Sequence, residues 1–327
     1  MTDRPTLRQK QGPSATLIVG VGSFQPERVV TNDDLSQIME TNDQWIRDRV
    51  GIVERRFAEK DELLVDMAVT AGSNALADAG VDPSEVDTVI VPNCTMPSQI
   101  PNAAAQVADR IGIKAPGAFD LNAACAGFCY GLGVASDLIR AGSAGKVLVI
   151  GAEKLTDSVD PTDRANAIIF ADGAGAALVA QSDEPGIGPV AWGSAGDLVD
   201  TIYMRDQRYI DQEGQSVFRW ATTQVAPIAL RALELAGLEP SDVDVLIPHQ
   251  ANLRIVEAIA KKLRVKGARE DMAVADDIRY SGNTSSASIP LALDHMRKAG
   301  TAKPGDLVLA VGFGAGLSYA AQAFICP

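Results

Sequence analysis

Aromatic residues are scarce in this sequence, making up 5% of its 327 residues, and it contains 2 histidines and 4 cysteines. The cysteines (Cys94, Cys125, Cys129 and Cys326) show neither the spacing of metal ligands nor that of a disulfide framework. No apolar run approaches the ~20 residues that a membrane-spanning helix needs. The net charge of −13 disfavours contact with phosphate backbones. The sequence therefore predicts neither a membrane protein nor a nucleic-acid-binding protein.

Residues 1–14 are polar and basic, without the apolar segment of a secretory signal. We interpret them as a flexible N-terminal extension. Since neither an export signal nor a disulfide pattern is present, we expect reduced thiols and a cytoplasmic protein.

An internal repeat is the clearest feature of the chain. Residues 79–90 match residues 236–247, and each copy is typical of a helix that ends at glycine, a Pro-Ser turn and an apolar strand. Two more matches follow in the same order: residues 140–151 with 298–312, and residues 173–176 with 314–317. Three ordered matches indicate a duplication.

Apolar strands alternate with helical patterns in each half of the sequence. This alternation predicts an α/β fold built from βαβ units, with largely parallel sheets covered by helices. We expect two pseudo-symmetric halves, residues 15–180 and 181–327. Because no Pro/Gly/Ser-rich linker separates them, they should form one body.

Cys125 follows a short apolar strand and a run of small residues, at the point where a helical pattern begins. The N–H groups and positive dipole of a helix N-terminus stabilise a thiolate and lower the pKa of cysteine. Cys125 is therefore a candidate nucleophile, with burial in the core as the alternative interpretation. Cys129 lies one helical turn later, and we interpret it as a packing residue.

The two histidines differ in their surroundings. His249 comes directly after an apolar strand, where open α/β sheets bind ligands, and is a candidate site residue. His295 lies within a helical pattern, and we interpret it as a surface or packing residue.

Asn283 lies in a polar turn before a helix, where it is either a site residue or a simple helix cap. It precedes Gly300 by the same number of residues as Cys125 precedes Gly142. We therefore expect Asn283 and Cys125 to occupy equivalent turns of the two halves and to converge on one cleft. The glycine-rich residues 313–316 are a weak signal for an oxyanion hole.

Several motifs carry a family resemblance: DQWIRDRVGI (residues 43–52), AACAGF (123–128), DPTDR (160–164), PHQANLR (248–254) and GNTS (282–285). Together they resemble β-ketoacyl-acyl carrier protein synthase III of the thiolase-like superfamily, in its actinobacterial form. The resemblance runs from about Thr16 to Phe324. It implies the thiolase-like fold, two halves in a layered α-β-α-β-α arrangement.

The resemblance also implies the activity. Cys125 would take an acyl group from an acyl-CoA starter. His249 and Asn283 would stabilise the enolate that malonyl-acyl carrier protein forms as CO₂ leaves. The product would be a 3-oxoacyl-carrier protein, which initiates fatty acid biosynthesis, and the enzyme would be a homodimer that uses no metal or other cofactor. The backbone N–H groups of Cys125 and Ala315 would form the oxyanion hole.

Further site residues follow from the same resemblance. Those expected to bind coenzyme A or its pantetheine arm are Thr41, Trp45, Arg49, Arg164 and Asn252. Those expected to shape the acyl pocket are Ile100 and Phe313, and those expected to dock the carrier protein are Arg254, Lys261 and Lys262.

The chain departs from the family pattern in places that concern the starter acyl group. Ala315 replaces a glycine, and Ile100 replaces an aromatic residue that reaches across the dimer in many members, which suggests a roomier pocket. The cap formed by residues 193–214 is shorter than in many members.

Three alternatives remain at this point. The chain could be a paralogue that primes or acylates in polyketide or other secondary metabolism with an unusual starter. It could be a non-catalytic scaffold, against which the joint presence of Cys125, His249 and Asn283 argues. A thiolase would need a second catalytic cysteine, which residues 313–316 lack.

Overall fold

A computed structural model describes Leu7 and residues 10–327 of the chain. Most of the proposed N-terminal extension, residues 1–6, 8 and 9, therefore lies outside the described residues. Gly12, which is described, donates its backbone N–H to the carbonyl of Arg140 at 3.1 Å.

The first sheet has the strand order β1-β7-β6-β4-β5. Its strands are Ala15–Phe24 (β1), Thr88–Pro92 (β4), Gly117–Leu121 (β5), Lys146–Lys154 (β6) and Asp172–Ser182 (β7). Strands β5, β4 and β6 are parallel, whereas β7 is antiparallel to both β6 and β1.

The second sheet repeats this pattern in the order β12-β11-β13-β14-β8. Its strands are Ala191–Ser194 (β8), Val245–Pro248 (β11), Ala273–Val274 (β12), Leu307–Gly314 (β13) and Ser318–Ile325 (β14). Strands β12, β11 and β13 are parallel, whereas β14 is antiparallel to both β13 and β8. The expectation of largely parallel sheets is wrong for half of the strand pairs, because β7 and β14 each return directly alongside the preceding strand of their sheet.

Two strand pairs lie outside the main sheets. They are Val29–Thr31 (β2) with Glu54–Arg56 (β3), and Ile202–Arg205 (β9) with Tyr209–Gln212 (β10). The helices are Asn32–Ser36 (α1), Asp43–Val50 (α2), Leu64–Ala79 (α3), Ala103–Ile111 (α4), Gly127–Arg140 (α5), Arg164–Ala167 (α6), Gly214–Ala236 (α7), Leu253–Val265 (α8), Ile278–Ser281 (α9) and Ser288–Lys298 (α10).

The repeated segments have the same local structure. Helices α3 and α7 end at Gly80 and Gly237, whose φ values of +64° and +70° only glycine adopts without strain. Each glycine is followed by a short 3₁₀ turn and then by a buried strand, β4 or β11. The predicted structural repeat is confirmed.

The two sheets and their helices form five layers. Helices α3 and α4 pack on the outer face of the first sheet, and α7 and α8 pack on the outer face of the second. Helices α5 and α10 lie between the sheets, in an apolar core that includes Phe128 and Cys129. The division of the chain near residue 180 stays a proposal, which the grouping of strands into two sheets supports.

The central helix α5 should carry much of the stability. Leu132 of α5 is fully buried between the sheets, so Leu132→Ala should lower the free energy of unfolding by about 2–5 kcal/mol. Leu235 of α7 is 39% exposed, so Leu235→Ala should cost under about 1 kcal/mol. Denaturant unfolding followed by circular dichroism measures both, and equal losses would contradict this account of the core.

Candidate active site

Cys125 is the middle residue of a 3₁₀ turn, Ala124–Ala126, which joins β5 to α5. Ala124 has a φ of +46°, in the left-handed region that non-glycine residues rarely enter. Its N–H donates to Oδ1 of Asn122 at 3.2 Å, which helps to hold the turn. Backbone strain of this kind is concentrated at functional sites.

The second half contains a matching turn before α10. Ser285 has a φ of +49° and donates its N–H to Oδ1 of Asn283 at 2.8 Å. Cys125 therefore corresponds to Ser286 of the 3₁₀ turn Ser285–Ala287, and Asn122 corresponds to Asn283. The predicted turns are equivalent, but Cys125 and Asn283 are not equivalent residues. The equal distances of Cys125 from Gly142 and of Asn283 from Gly300 gave a correspondence that is wrong by three residues, because α10 has 11 residues and α5 has 14.

Glycines of β13 bring the second half against Cys125. A Cβ atom on Gly314 would lie 2.7 Å from the backbone nitrogen of Cys125, and one on Gly312 would lie 2.9 Å from Cα of Ala126. In the same way, a Cβ on Gly151 of β6 would collide with the backbone carbonyl of Ser286. Each turn thus packs on a strand of the other half at a distance that only glycine permits.

His249 follows β11 and is 2% exposed. Its Nδ1 lies 2.7 Å from Oγ of Ser288, and that oxygen accepts the N–H of Gln250 at 3.4 Å. When the hydroxyl donates its proton to Nδ1, the imidazole carries its own proton on Nε2, where it can be donated to a ligand. Burial lowers the pKa of His249 to about 3, so the ring is neutral at physiological pH.

Asn283 is held by both its backbone and its side chain. It donates its N–H to the carbonyl of Ile169 and accepts the N–H of Ala171, both at 2.9 Å. Since Oδ1 already accepts the N–H of Ser285, the amide is oriented with Nδ2 as the donor available to a ligand.

The pKa of Cys125 differs from the sequence-based expectation. Burial raises the pKa of this thiol to about 12, and the hydrogen bond with Ser285 opposes the rise without cancelling it. The expected lowering at a helix N-terminus is therefore outweighed by desolvation. At physiological pH the Cys125 side chain is therefore a thiol.

A cavity of about 800 Å³ connects these residues. Among the predicted site residues that line it are Arg49, Cys125, His249, Asn252, Arg254, Asn283, Phe313 and Ala315. The expected cap also contributes, through Ile202, Tyr203, Met204, Ile210, Gln212 and Gly214. A thiol, an imidazole and a carboxamide therefore share one cavity, whose wall also contains three arginines, Arg49, Arg219 and Arg254.

Trp45 and Arg164 lie beside this cavity without lining it. The guanidinium of Arg164 stacks over the Trp45 ring at 4.7 Å from its centroid, and that of Arg49 lies at 5.3 Å. Arg164 also donates to the carbonyl of Glu40 at 2.8 Å. Thr41 follows Glu40 in the chain, and its hydroxyl is buried without a hydrogen-bond partner among the described residues.

The other predicted residues lie at the surface, and Arg254, which lines the cavity, is also exposed. Ile100 is 86% exposed and does not line the cavity of its own chain. Arg254, Lys261 and Lys262 are exposed on one face of α8. His295 lies outside the cavity and pairs with Asp277 at 2.7 Å.

Sequence reasoning missed several polar residues around the site. Ser285 bonds to Asn283 and Cys125, and Ser288 bonds to His249, while Ser286 bonds to Pro92 and Glu153. The run of hydroxyl residues after Asn283 was the available signal. Cys94 lines the cavity and Glu153 is buried behind it. Nothing in the local sequence of Cys94 or Glu153 indicated that position.

Comparisons with known proteins agree with this architecture. The profile described as 3-Oxoacyl-[acyl-carrier-protein (ACP)] synthase III matches residues 119–196, and that of its C-terminal part matches residues 233–325. The chain is 46% identical to the mycobacterial beta-ketoacyl-[acyl-carrier-protein] synthase III of Mycobacterium avium, with 97% of each chain covered. It is 48% identical to beta-ketoacyl-[acyl-carrier-protein] synthase III 4 of Streptomyces coelicolor, with 95% of this chain and 98% of that one covered.

Solved structures show the same likeness. The priming beta-ketosynthase of the R1128 polyketide biosynthetic pathway superimposes with a TM-score of 0.95 at 41% identity, covering 99% of both chains. The 3-oxoacyl-[acyl-carrier-protein] synthase III of Aquifex aeolicus gives a TM-score of 0.91 at 38% identity, covering 95% of this chain and all of that one. The class is therefore that of condensing acyltransferases with the thiolase-like fold. Within it, the chain belongs to the 3-oxoacyl-[acyl-carrier-protein] synthase III family.

Across residues 10–327, no group of three or more histidine, cysteine, aspartate or glutamate side chains is arranged to hold a metal ion. Over the same part of the chain, no helix combines the length and apolar character required to cross a membrane.

Ser288 should matter because it fixes the tautomer of His249. Ser288→Ala removes the hydroxyl that lies 2.7 Å from Nδ1, and we expect decarboxylation of a malonyl thioester to slow by ~10-fold. The release of CO₂ measures this rate. Ser84→Ala, at an exposed serine, is the matched control, and an unchanged rate in Ser288→Ala would show that the tautomer is set by other groups.

Proposed function

We propose that the chain joins an acyl-CoA starter to malonyl-acyl carrier protein by decarboxylative Claisen condensation, giving a 3-oxoacyl-carrier protein, CO₂ and coenzyme A. The observation that carries this proposal is the meeting of Cys125, from the first half, with His249 and Asn283, from the second half, in one cavity. The reaction would begin fatty acid biosynthesis.

In the first step the sulfur of Cys125 attacks the thioester carbonyl of acyl-CoA. A new carbon–sulfur bond forms, coenzyme A leaves, and the thiol proton passes to the departing sulfur. The pKa of about 12 favours this concerted loss of the proton over a resting thiolate. We assign the oxyanion hole to the N–H groups of Cys125 and Ala315, supported by the close approach of Gly314 to Cys125.

In the second step the malonyl thioester carbonyl accepts hydrogen bonds from Nε2 of His249 and Nδ2 of Asn283. These neutral donors stabilise the enolate that forms as CO₂ departs, and the enolate carbon attacks the acyl group on Cys125. The sulfur of Cys125 leaves and takes up a proton. Because two neutral donors supply the stabilisation, we propose that the reaction needs no cofactor, with coenzyme A serving only as part of a substrate.

The coenzyme A site would run from the cavity to Trp45. We assign the adenine to the face of Trp45 that Arg164 covers in the free protein, so binding would place the base between them. Thr41, Arg49 and Asn252 would complete the site, and Asn252 already donates from Nδ2 to the carbonyl of Arg49 at 3.2 Å.

We propose that two copies of the chain pair along β5, which is an edge strand with Phe119 partly exposed. The exposed Ile100 lies close to this edge, because Asn102 donates from Nδ2 to the carbonyl of Ala118 at 3.1 Å. Ile100 would then reach the acyl pocket of the partner, which Phe313 also lines. A cytoplasmic location stays a prediction.

A second candidate is priming of a polyketide or other secondary-metabolite pathway with an unusual starter. The structural likeness to the R1128 priming ketosynthase favours it. Incubation with a panel of acyl-CoAs and malonyl-acyl carrier protein separates the two. A preference for short fatty acyl starters supports the first candidate. Condensation only with an unusual starter, or acylation of Cys125 without any condensed product, supports the second.

The roles of the three central residues can be separated by mutation. Cys125→Ala should carry no acyl adduct and give no condensation product. Asn283→Ala should still acylate Cys125, while decarboxylation slows by about 10²-fold. Peptide mass spectrometry and CO₂ release measure the two steps. Cys326→Ala, at a buried thiol outside the cavity, is the control, and wild-type condensation by Asn283→Ala would refute the role of that residue.

The basic face of α8 should bind the acidic carrier protein. Lys261→Glu combined with Lys262→Glu should raise the KM for malonyl-acyl carrier protein by about 3- to 10-fold. No other step should change, because exposed charges act mainly on the rate at which two proteins associate. Lys303→Glu, at an exposed lysine elsewhere, is the matched control. An unchanged KM would place the docking surface on another face.

A further inference from the structure

Glu153 is a fully buried carboxyl at the end of β6, immediately behind the cavity. Its Oε2 accepts the hydroxyl of Thr95 at 2.6 Å and the backbone N–H of Cys94 at 3.1 Å. Its Oε1 lies 2.9 Å from Oγ of Ser286 and 3.4 Å from Sγ of Cys94. No salt bridge to Glu153 occurs within residues 10–327, so the usual compensation for a buried charge is missing.

In the internal symmetry of the chain, Glu153 occupies the position that corresponds to Gly314. Gly151 packs on the Ser286 turn as Gly312 packs on the Cys125 turn, and two residues further along each strand stand Glu153 and Gly314. Gly314 leaves the space beside Cys125 open to the cavity. Glu153 fills the corresponding space beside Ser286, so the second copy of the nucleophile turn is closed by a carboxyl group.

The contacts of Ser286 favour a protonated Glu153. Oγ of Ser286 lies 2.9 Å from Oε1 of Glu153 and also 2.9 Å from the carbonyl of Pro92. A hydroxyl has one proton, and a carbonyl can only accept. If Ser286 donates to Pro92, the contact with Oε1 is a hydrogen bond only when Glu153 supplies the proton. A neutral carboxylic acid satisfies every contact, and burial raises the pKa of Glu153 in the same direction.

We propose that Glu153 is a positioning residue of the condensation. As a neutral acid it holds the Ser285–Ser286 turn in place beside Cys125 and Asn283, and it keeps negative charge away from the nucleophilic sulfur. This inference rests on the role proposed above for Cys125 as the acyl carrier.

Few titratable groups lie near Glu153. Cys94 faces it from the loop after β4, and Cys125 faces the same Ser285 hydroxyl from the turn before α5. On its own strand, Lys154 directs Nζ away to the carbonyls of Glu59 and Glu62. On the neighbouring strand, Asp172 is bound by Ala58 and Thr156. A charge that appears on Glu153 would therefore act mainly on Cys94 and Cys125, by disfavouring their thiolates.

The first test observes the proton directly. At neutral pH the wild-type infrared spectrum should contain the carbonyl stretch of a protonated carboxylic acid, and the spectrum of Glu153→Gln should lack that band. Asp172 can contribute a second such band at acidic pH, because burial raises its pKa to about 6. Difference spectra taken well above pH 6 avoid it. Identical spectra of the two proteins would overturn the proposal.

The second test measures the alkylation of Cys125 by iodoacetamide across pH, followed on the Cys125 peptide by mass spectrometry so that reaction at Cys94 does not interfere. At low pH, where Glu153 is neutral, wild type and Glu153→Gln should react equally fast. As pH rises and Glu153 ionises, the wild-type thiolate is disfavoured, so the variant should become faster by up to about 10-fold, equivalent to one pKa unit. A ratio near one at neutral pH supports the proposal, whereas a variant that already reacts about 10-fold faster at neutral pH would overturn it, because Glu153 would then be charged there.

The third test separates positioning from folding. Glu153→Gln keeps the hydrogen bonds and should condense at a rate within about twofold of wild type at neutral pH. Glu153→Ala leaves Ser286, Thr95 and the N–H of Cys94 without their partner and should slow decarboxylation by ~10-fold or more. Rescue by glutamine but not by alanine supports the proposal, and equal loss in both variants overturns it. If wild-type Cys125 takes up no acyl group, the proposed function fails instead, whereas the infrared result stands independently.

Discussion

The close packing of each helix-start turn on the central strand of the opposite half is the constraint on which the site depends. The Cys125 turn lies on Gly312 and Gly314 of β13, and the Ser286 turn lies on Gly151 of β6. A side chain at any of these glycines would force the halves apart. Because the contact is reciprocal, it fixes the sulfur of the first half relative to His249 and Asn283, which the second half supplies.

The symmetric positions of the two halves carry different side chains. The duplicated turn carries a thiol with open space beside it in one copy, and a serine closed by Glu153 in the other. The strand ends differ in the same way: Pro92 packs against Gly127, while at the matching place His249 bonds to Ser288. The fold therefore offers two equivalent locations, and only the Cys125 copy places a thiol beside open space.

The features that could be predicted from the sequence are those that depend on neighbouring residues within one segment of the chain. The glycine, Pro-Ser turn and apolar strand near residues 80 and 237 are local signals, and so is the small-residue turn around Cys125. The pKa of Cys125 and the exact partner of that turn were missed, since they depend on burial and on the length of α10. Glu153 was missed because its partners come from two distant segments of the chain, Cys94–Thr95 and the turn that contains Ser286.

The central claim is that His249 and Asn283 act together on the carbonyl of the malonyl thioester while Cys125 holds the acyl group. The most direct measurement is a crystal structure of the protein with a malonyl thioester analogue that cannot lose CO₂. The account predicts that the thioester oxygen lies within hydrogen-bonding distance of both Nε2 of His249 and Nδ2 of Asn283. A thioester oxygen that contacts neither nitrogen would contradict it.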